Sequence, residues 1–156
     1  MVRPGIIWKQ TMKNTTATIL AIIASLWTVA TFAGPVQEAN RKLVLDMWQA
    51  VIVQLDETAV ARYIAPDYVQ HNPNIGQGRE GLIAAIRRSR APGAKPHSIK
   101  RLIASFAQDD LVVLVWDRDL PDPKNPGSIY TNNAFDMFRL KDGIVVEHWD
   151  DNHKNP

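Results

Sequence analysis

The sequence predicts an α+β domain in which three N-terminal helices pack on one face of a curved, mostly antiparallel sheet, leaving a pocket between them. Three observations carry this. Apolar residues recur at helical spacing between residues 36 and 55 and again between 79 and 90. From residue 97 onward the pattern changes to alternation and β-branched runs. Near the end, two aromatic-rich segments flank Asp142-Gly143, a hairpin signal.

The first 33 residues stand apart. Arg3, Lys9 and Lys13 precede an apolar run from Ala17 to Ala30, and Thr31-Phe32-Ala33 supplies small residues at a cleavage site. This describes a secretory signal, with Met12 as an alternative start. We expect export to the periplasm or beyond and cleavage near Ala33, leaving residues 34–156 as one domain. Uncleaved, the same run is just long enough to anchor the chain in a membrane. The formal charge of +2 therefore misleads. Residues 34–156 hold fifteen basic and sixteen acidic residues, so the basic pI is no sign of a nucleic-acid partner. A hydrophobic content of 46% is enough for a packed core. The chain has no cysteine, which excludes thiol catalysis and Cys-based metal sites.

In the domain, positions 36, 39, 43, 44, 47, 48, 51, 52 and 55 form one apolar helix face. Asp56 is placed to cap a short second helix from Glu57 to Ile64, which Pro66 stops. A strand from Asp67 to Pro73 follows, then a loop, then a third helix from Arg79 to Arg90 with a basic C-terminal end. His97–Ala107 and Leu111–Trp116 read as strands. Asp117–Gly127, with three prolines, reads as a long loop able to act as a rim. Ser128–Leu140 and Ile144–Asp150 complete the sheet.

The hairpin register decides the chemistry. A two-residue loop at Asp142-Gly143 pairs Lys141 with Ile144 and sets Asp136 opposite Trp149. A three-residue loop, Lys141 to Gly143, sets Asp136 opposite His148. Side chains alternate, so one residue of slip exchanges the faces. We expect the three-residue loop, with Asp136, Phe138 and Leu140 sharing the inner face with Val146, His148 and Asp150, and with His71 approaching from the first strand. A carboxylate among Phe135, Met137 and Phe138 is costly unless paired or solvated in a cavity. In such a cavity it becomes a candidate acid/base group, and a neighbouring histidine can share its proton. The structural alternatives are a salt bridge from Asp136 to Arg101, Arg118 or Arg139 and a half-buried, satisfied His148. Trp48 is placed to wall a cavity. The histidines and aspartates have no spacing that asks for a metal, and no phosphate loop or nucleophile elbow is present.

The segments Tyr63-Ile-Ala-Pro-Asp-Tyr-Val-Gln-His-Asn-Pro73, Gly78-Arg-Glu-Gly81, Asp136-Met-Phe-Arg139 and Glu147-His-Trp-Asp150, in this order, resemble the SnoaL-like proteins of the nuclear transport factor 2-like superfamily. The resemblance covers roughly Val36 to Asp151. It implies a cone-shaped α+β barrel with an apolar pocket, and cofactor-free acid/base chemistry of the aldol-condensation, lyase or isomerase type on a small carbonyl compound. By match, Asp136, His148, Asp150 and His71 are the candidate catalytic residues. Trp48, Tyr63, Tyr68, Trp116 and Phe138 are the candidate substrate-binding residues. The family also includes non-catalytic binding proteins, so a small-ligand or protein-binding module is the alternative. Polyketide cyclization is an odd fit to an exported protein. Apolar residues on both sheet faces imply a homodimer.

Overall fold

The computed structural model describes residues 34–94 and 99–154, with only the backbone described at Ile99 and Lys100. The expected signal segment, residues 1–33, lies outside the described residues, as does His97, the expected start of a strand. Helix α1 (Pro35–Met47) begins with proline at its first position, where the missing N–H costs nothing. It continues as a π-helix over Trp48–Val53, closed by the Gln54 N–H donating to the Gln49 carbonyl at 3.0 Å. The wider turn ends at Leu55, which sits in the left-handed region at φ 55°. Trp48, Val51, Ile52 and Leu55 thus share one side of this segment, the side that faces the sheet.

The second helix is shorter than its pattern suggested. Asp56 Oδ1 accepts from the Thr58 N–H at 2.9 Å and caps a turn, and α2 proper is Val60–Tyr63. Strand β1 (Ile64–Gln70) starts three residues earlier than expected and runs through Pro66. It can do so because β1 is an edge strand, where a missing N–H breaks no ladder. The side chains of Gln77 and Arg79 fold over this edge. Gln77 brackets the Gln70 backbone, accepting its N–H at 2.9 Å and donating to its carbonyl at 2.6 Å, while Arg79 donates to the Ile64 carbonyl at 2.6–2.9 Å. Helix α3 (Gly78–Arg90) follows, with Leu82 and Ile86 buried.

Strands β2 (Ile99–Gln108), β3 (Leu111–Pro121), β4 (Ile129–Lys141) and β5 (Ile144–Asp150) complete a curved, mixed five-stranded sheet in the order β1-β5-β4-β3-β2. All neighbours are antiparallel except β1 and β5. The first five residues of the expected rim loop are strand: β3 extends to Pro121, and the Asp122 N–H donates to the Ser128 carbonyl to close a short connection. The inner faces of the sheet and helices meet in a core of Val44, Met47, Val51 and Ile64 against Val112, Leu114, Leu140 and Val145.

The hairpin departs from its expected register in an instructive way. Lys141 pairs with Ile144 across a two-residue loop, and Asp142 and Gly143 both have positive φ, the signature of a type I′ turn. Taken alone, this register would turn His148 outward. One extra residue in β5, Val146, bulges between the Leu140–Val145 and Arg139–Glu147 pairs. Val145 replaces Val146 on the inner face, and His148 and Asp150 return to it. Asp136 lies opposite Asp150, and His148 lies opposite Phe138.

Candidate functional site

Between the helices and the inner sheet face is a cavity of about 230 Å³. Its walls are aromatic: Trp48 contacts Trp116 (ring centroids 5.5 Å apart) and Phe138 (6.3 Å), and Phe138 lies against the His148 ring at 4.7 Å. Asp136, His148, Asp150, Trp48, Tyr68, Trp116 and Phe138 all line it, as expected. Exposed Ser89 and Asn152 border it on the solvent side.

Two expected members are elsewhere. His71 projects from the outer face, where it hydrogen-bonds Glu147 at 2.8 Å and stacks on Trp149 at 5.0 Å. Strand alternation is the reason: Tyr68 and His71, three residues apart, face opposite ways. Tyr63 belongs to α2, lies under the Arg62 guanidinium and packs against the core outside the cavity.

Gln70 and Asn72 take the inner places. Tyr68, Gln70 and Asn72 alternate along one face of β1 and its extension, and all three are buried. The alternating spacing Tyr-x-Gln-x-Asn within the expected strand Asp67–Pro73 carries the signal for this.

The hydrogen bonds can be followed from donors whose identity is fixed. The Asn72 backbone N–H, which can only donate, meets Gln70 Oε1 at 2.8 Å. Gln70 Oε1 is therefore an acceptor, and His148 Nδ1, 2.9 Å away, carries a proton and donates to it. His148 Nε2 faces Asp136 Oδ1 at 2.8 Å. The Trp116 indole N–H donates to the other oxygen, Oδ2. Nε2 and Oδ1 thus share a single proton, with the tautomer set by Gln70. The carboxylate's buried partners are a histidine and an indole rather than the arginines considered from sequence. The Asp136–His148 contact is diagonal, because each residue lies directly opposite another.

Asp150 is held differently. Its Oδ2 accepts from Asn72 Nδ2 at 2.5 Å and Asn152 Nδ2 at 2.8 Å, and its Oδ1 accepts from the Asn152 N–H at 3.0 Å. Arg118 also borders the cavity; it donates to Asp151 at 2.6 Å and to Asn152 at 3.3 Å, and its buried Nε–H has no partner among the described residues. Asp136, His148 and Asp150 each offer a ligand atom within 4.8 Å of the others, so they form a possible cation cluster. His148 Nε2, the ring nitrogen left free by Gln70, lies 2.8 Å from Asp136 Oδ1, so a cation would have to displace that hydrogen bond. The Tyr68 phenol is pushed well above its ordinary value, first by burial and then by the charges of Asp136 and Asp150.

An α+β sheet curled over an aromatic cavity lined by a buried acid–imidazole pair is the architecture expected. Residues 44–148 match the SnoaL-like domain, and the chain belongs to that family. No curated protein matches it. Among solved structures it is similar to a putative SnoaL-like polyketide cyclase from Jannaschia sp. CCS1, at 18% identity and a TM-score of 0.56, covering 77% of this chain and 90% of that one. It is also similar to an LEH-like epoxide hydrolase of M. tuberculosis (18% identity, TM-score 0.56, 74% and 84% covered) and to TsrD from Streptomyces laurentii (23%, 0.54, 73% and 87%). At these identities the likeness concerns the fold.

Proposed function

We propose that this chain is an acid/base enzyme of the lyase or isomerase type, aldol condensation included, acting on a small carbonyl compound bound in the aromatic cavity. The observation that carries the reading is the Asp136–His148 pair. It is buried, faces the cavity and holds one shared proton between two groups whose outer partners are fixed. Such a pair can take a proton from a carbon next to a carbonyl and return it without reorganising its surroundings. Asp136 is the base, His148 stabilises its charged form, and Gln70 is a positioning residue. The polar groups converge inside the cavity rather than on an open surface, which favours catalysis over a binding module.

The test is solvent exchange. Small methyl and cyclic ketones incubated with the protein in deuterium oxide should lose their α-proton NMR signals faster than in buffer. Asp136→Asn and His148→Ala should each slow this by about 10²–10⁴-fold. Exchange that never exceeds the buffer rate across the panel, or that survives both substitutions, sinks the proposal.

A further inference from the structure

We propose that the Tyr68 hydroxyl is the donor that receives the substrate's carbonyl oxygen, and that the substrate is an uncharged, single-ring ketone. This rests on the acid/base reading above for its chemistry but on separate observations for its geometry.

The donor is found by following the same chain of hydrogen bonds outward. Because the Asn72 N–H fixes Gln70 Oε1 as an acceptor, the other end of that amide is NH₂. Gln70 Nε2 donates to the Tyr68 oxygen at 3.2 Å. The phenol oxygen is thus an acceptor in this contact, and its own proton remains unspent. Among the described residues no acceptor is hydrogen-bonded to that proton. Tyr68 is 3% exposed and lines the cavity, so the proton is available only to an occupant of it. A buried donor left without a partner is costly, which favours an occupant bearing an acceptor oxygen.

The rest of the cavity defines the occupant. The Asp136–His148 pair brings no net positive charge to it, Asp150 borders it with only neutral amides as partners, and Arg118 is paired with Asp151. That balance repels an anion. The walls of Trp48, Trp116 and Phe138 favour a flat ring. A cavity of about 150 Å³ holds benzene, so about 230 Å³ suits about nine heavy atoms. A fused four-ring molecule would extend past Ser89 and Asn152 toward solvent.

The two inferences join in one step. The Asp136 carboxylate takes the α-proton, the C–H electron pair becomes the C=C bond, and the carbonyl π pair moves to oxygen. That oxygen accepts from Tyr68 throughout. Since burial and the two carboxylates keep the phenol protonated, Tyr68 donates a hydrogen bond and does not give up its proton.

Acetophenone has the required size, and α-methylstyrene matches it with CH₂ in place of oxygen. By calorimetric titration, Tyr68→Phe should weaken acetophenone about fivefold and leave α-methylstyrene unchanged. In the infrared, the carbonyl band of bound acetophenone should lie below its position in hexane and move back in Tyr68→Phe. Asp136→Asn should keep the band shift while losing proton exchange, so failure of the donor and failure of the base are read separately. An unshifted band in the unsubstituted protein, equal weakening of both compounds, or no binding of acetophenone at millimolar concentration would overturn the proposal. The band measurement needs no variant and holds even if Tyr68→Phe does not fold.

Discussion

At the scale of single residues, the site is ordered by one side chain that carries no charge. Gln70 accepts from a backbone N–H, and that contact determines what each of its neighbours does: His148 must donate from Nδ1, and Tyr68 must accept. Acid/base reasoning from sequence looks for carboxylates and imidazoles, so it found Asp136, His148 and Asp150 and passed over the amides that orient them. It also placed His71 and Tyr68 in one site, which strand alternation forbids. Tyr68 gives a pH prediction with a definite sign. Its folded-state value is raised, so the folded protein holds the phenol proton more tightly than the unfolded chain. The stability this contributes is complete below the ordinary tyrosine value of about 10 and is lost as pH rises beyond it. While the protein stays folded past that pH, its tyrosinate ultraviolet absorbance should equal that of Tyr68→Phe. An extra tyrosinate in the unsubstituted, still-folded protein would contradict the assignment.

At the scale of elements, two backbone features hold the site in place. One is the approach of α3 to the loop that carries Asn72. A Cβ added to Gly81 would lie 2.0 Å from the Gly76 carbonyl oxygen and 2.2 Å from its carbon. Backbone cannot yield as a flexible side chain does, so Gly81→Ala should cost about 1–3 kcal/mol. Denaturant titration would read this as a lower midpoint, and an unchanged midpoint would refute the close approach. The other feature is the bulge at Val146. The order and type of the elements were legible because helical and alternating patterns differ in period over long stretches. The inner positions of Asp136, His148 and Asp150 were also expected correctly, yet from the wrong turn. Asp142-Gly143 obeyed its own strong preference for a two-residue type I′ loop, and a bulge one turn away restored the face. A bulge leaves no period in a seven-residue strand, so no reading of β5 by alternation could reveal it. Likewise, the prolines that suggested a long rim loop instead stand at the end of β3 and in a seven-residue connection.

At the scale of the molecule, the outer sheet face is left to explain. Phe106, Val113, Met137 and Trp149 form one cross-strand row over four strands, and Ala104, Val115 and Phe135 form the next. Phe106 is 55% exposed and Phe135 51%. Rows of this kind on a single face exceed scattered exposure, the pattern of an interaction surface. Charge borders the band on both sides. Arg139 pairs with Asp110 (2.7 Å) and Glu147 (3.0 Å) at one end, and Arg101 pairs with Asp117 (3.0 Å) at the other. A twofold axis through the band brings apolar rows together, as a self-complementary dimer interface requires. We therefore propose a second copy of this chain as the partner. Light scattering at micromolar concentration should give a dimer mass. Phe135→Asp buries a charge in that interface and should give a monomer. Its inner face should be unaffected, because Phe135 points away from the cavity, so acetophenone binding should persist. A monomer mass for the unsubstituted protein would remove the dimer, and a dimer that survives Phe135→Asp would move it to another surface.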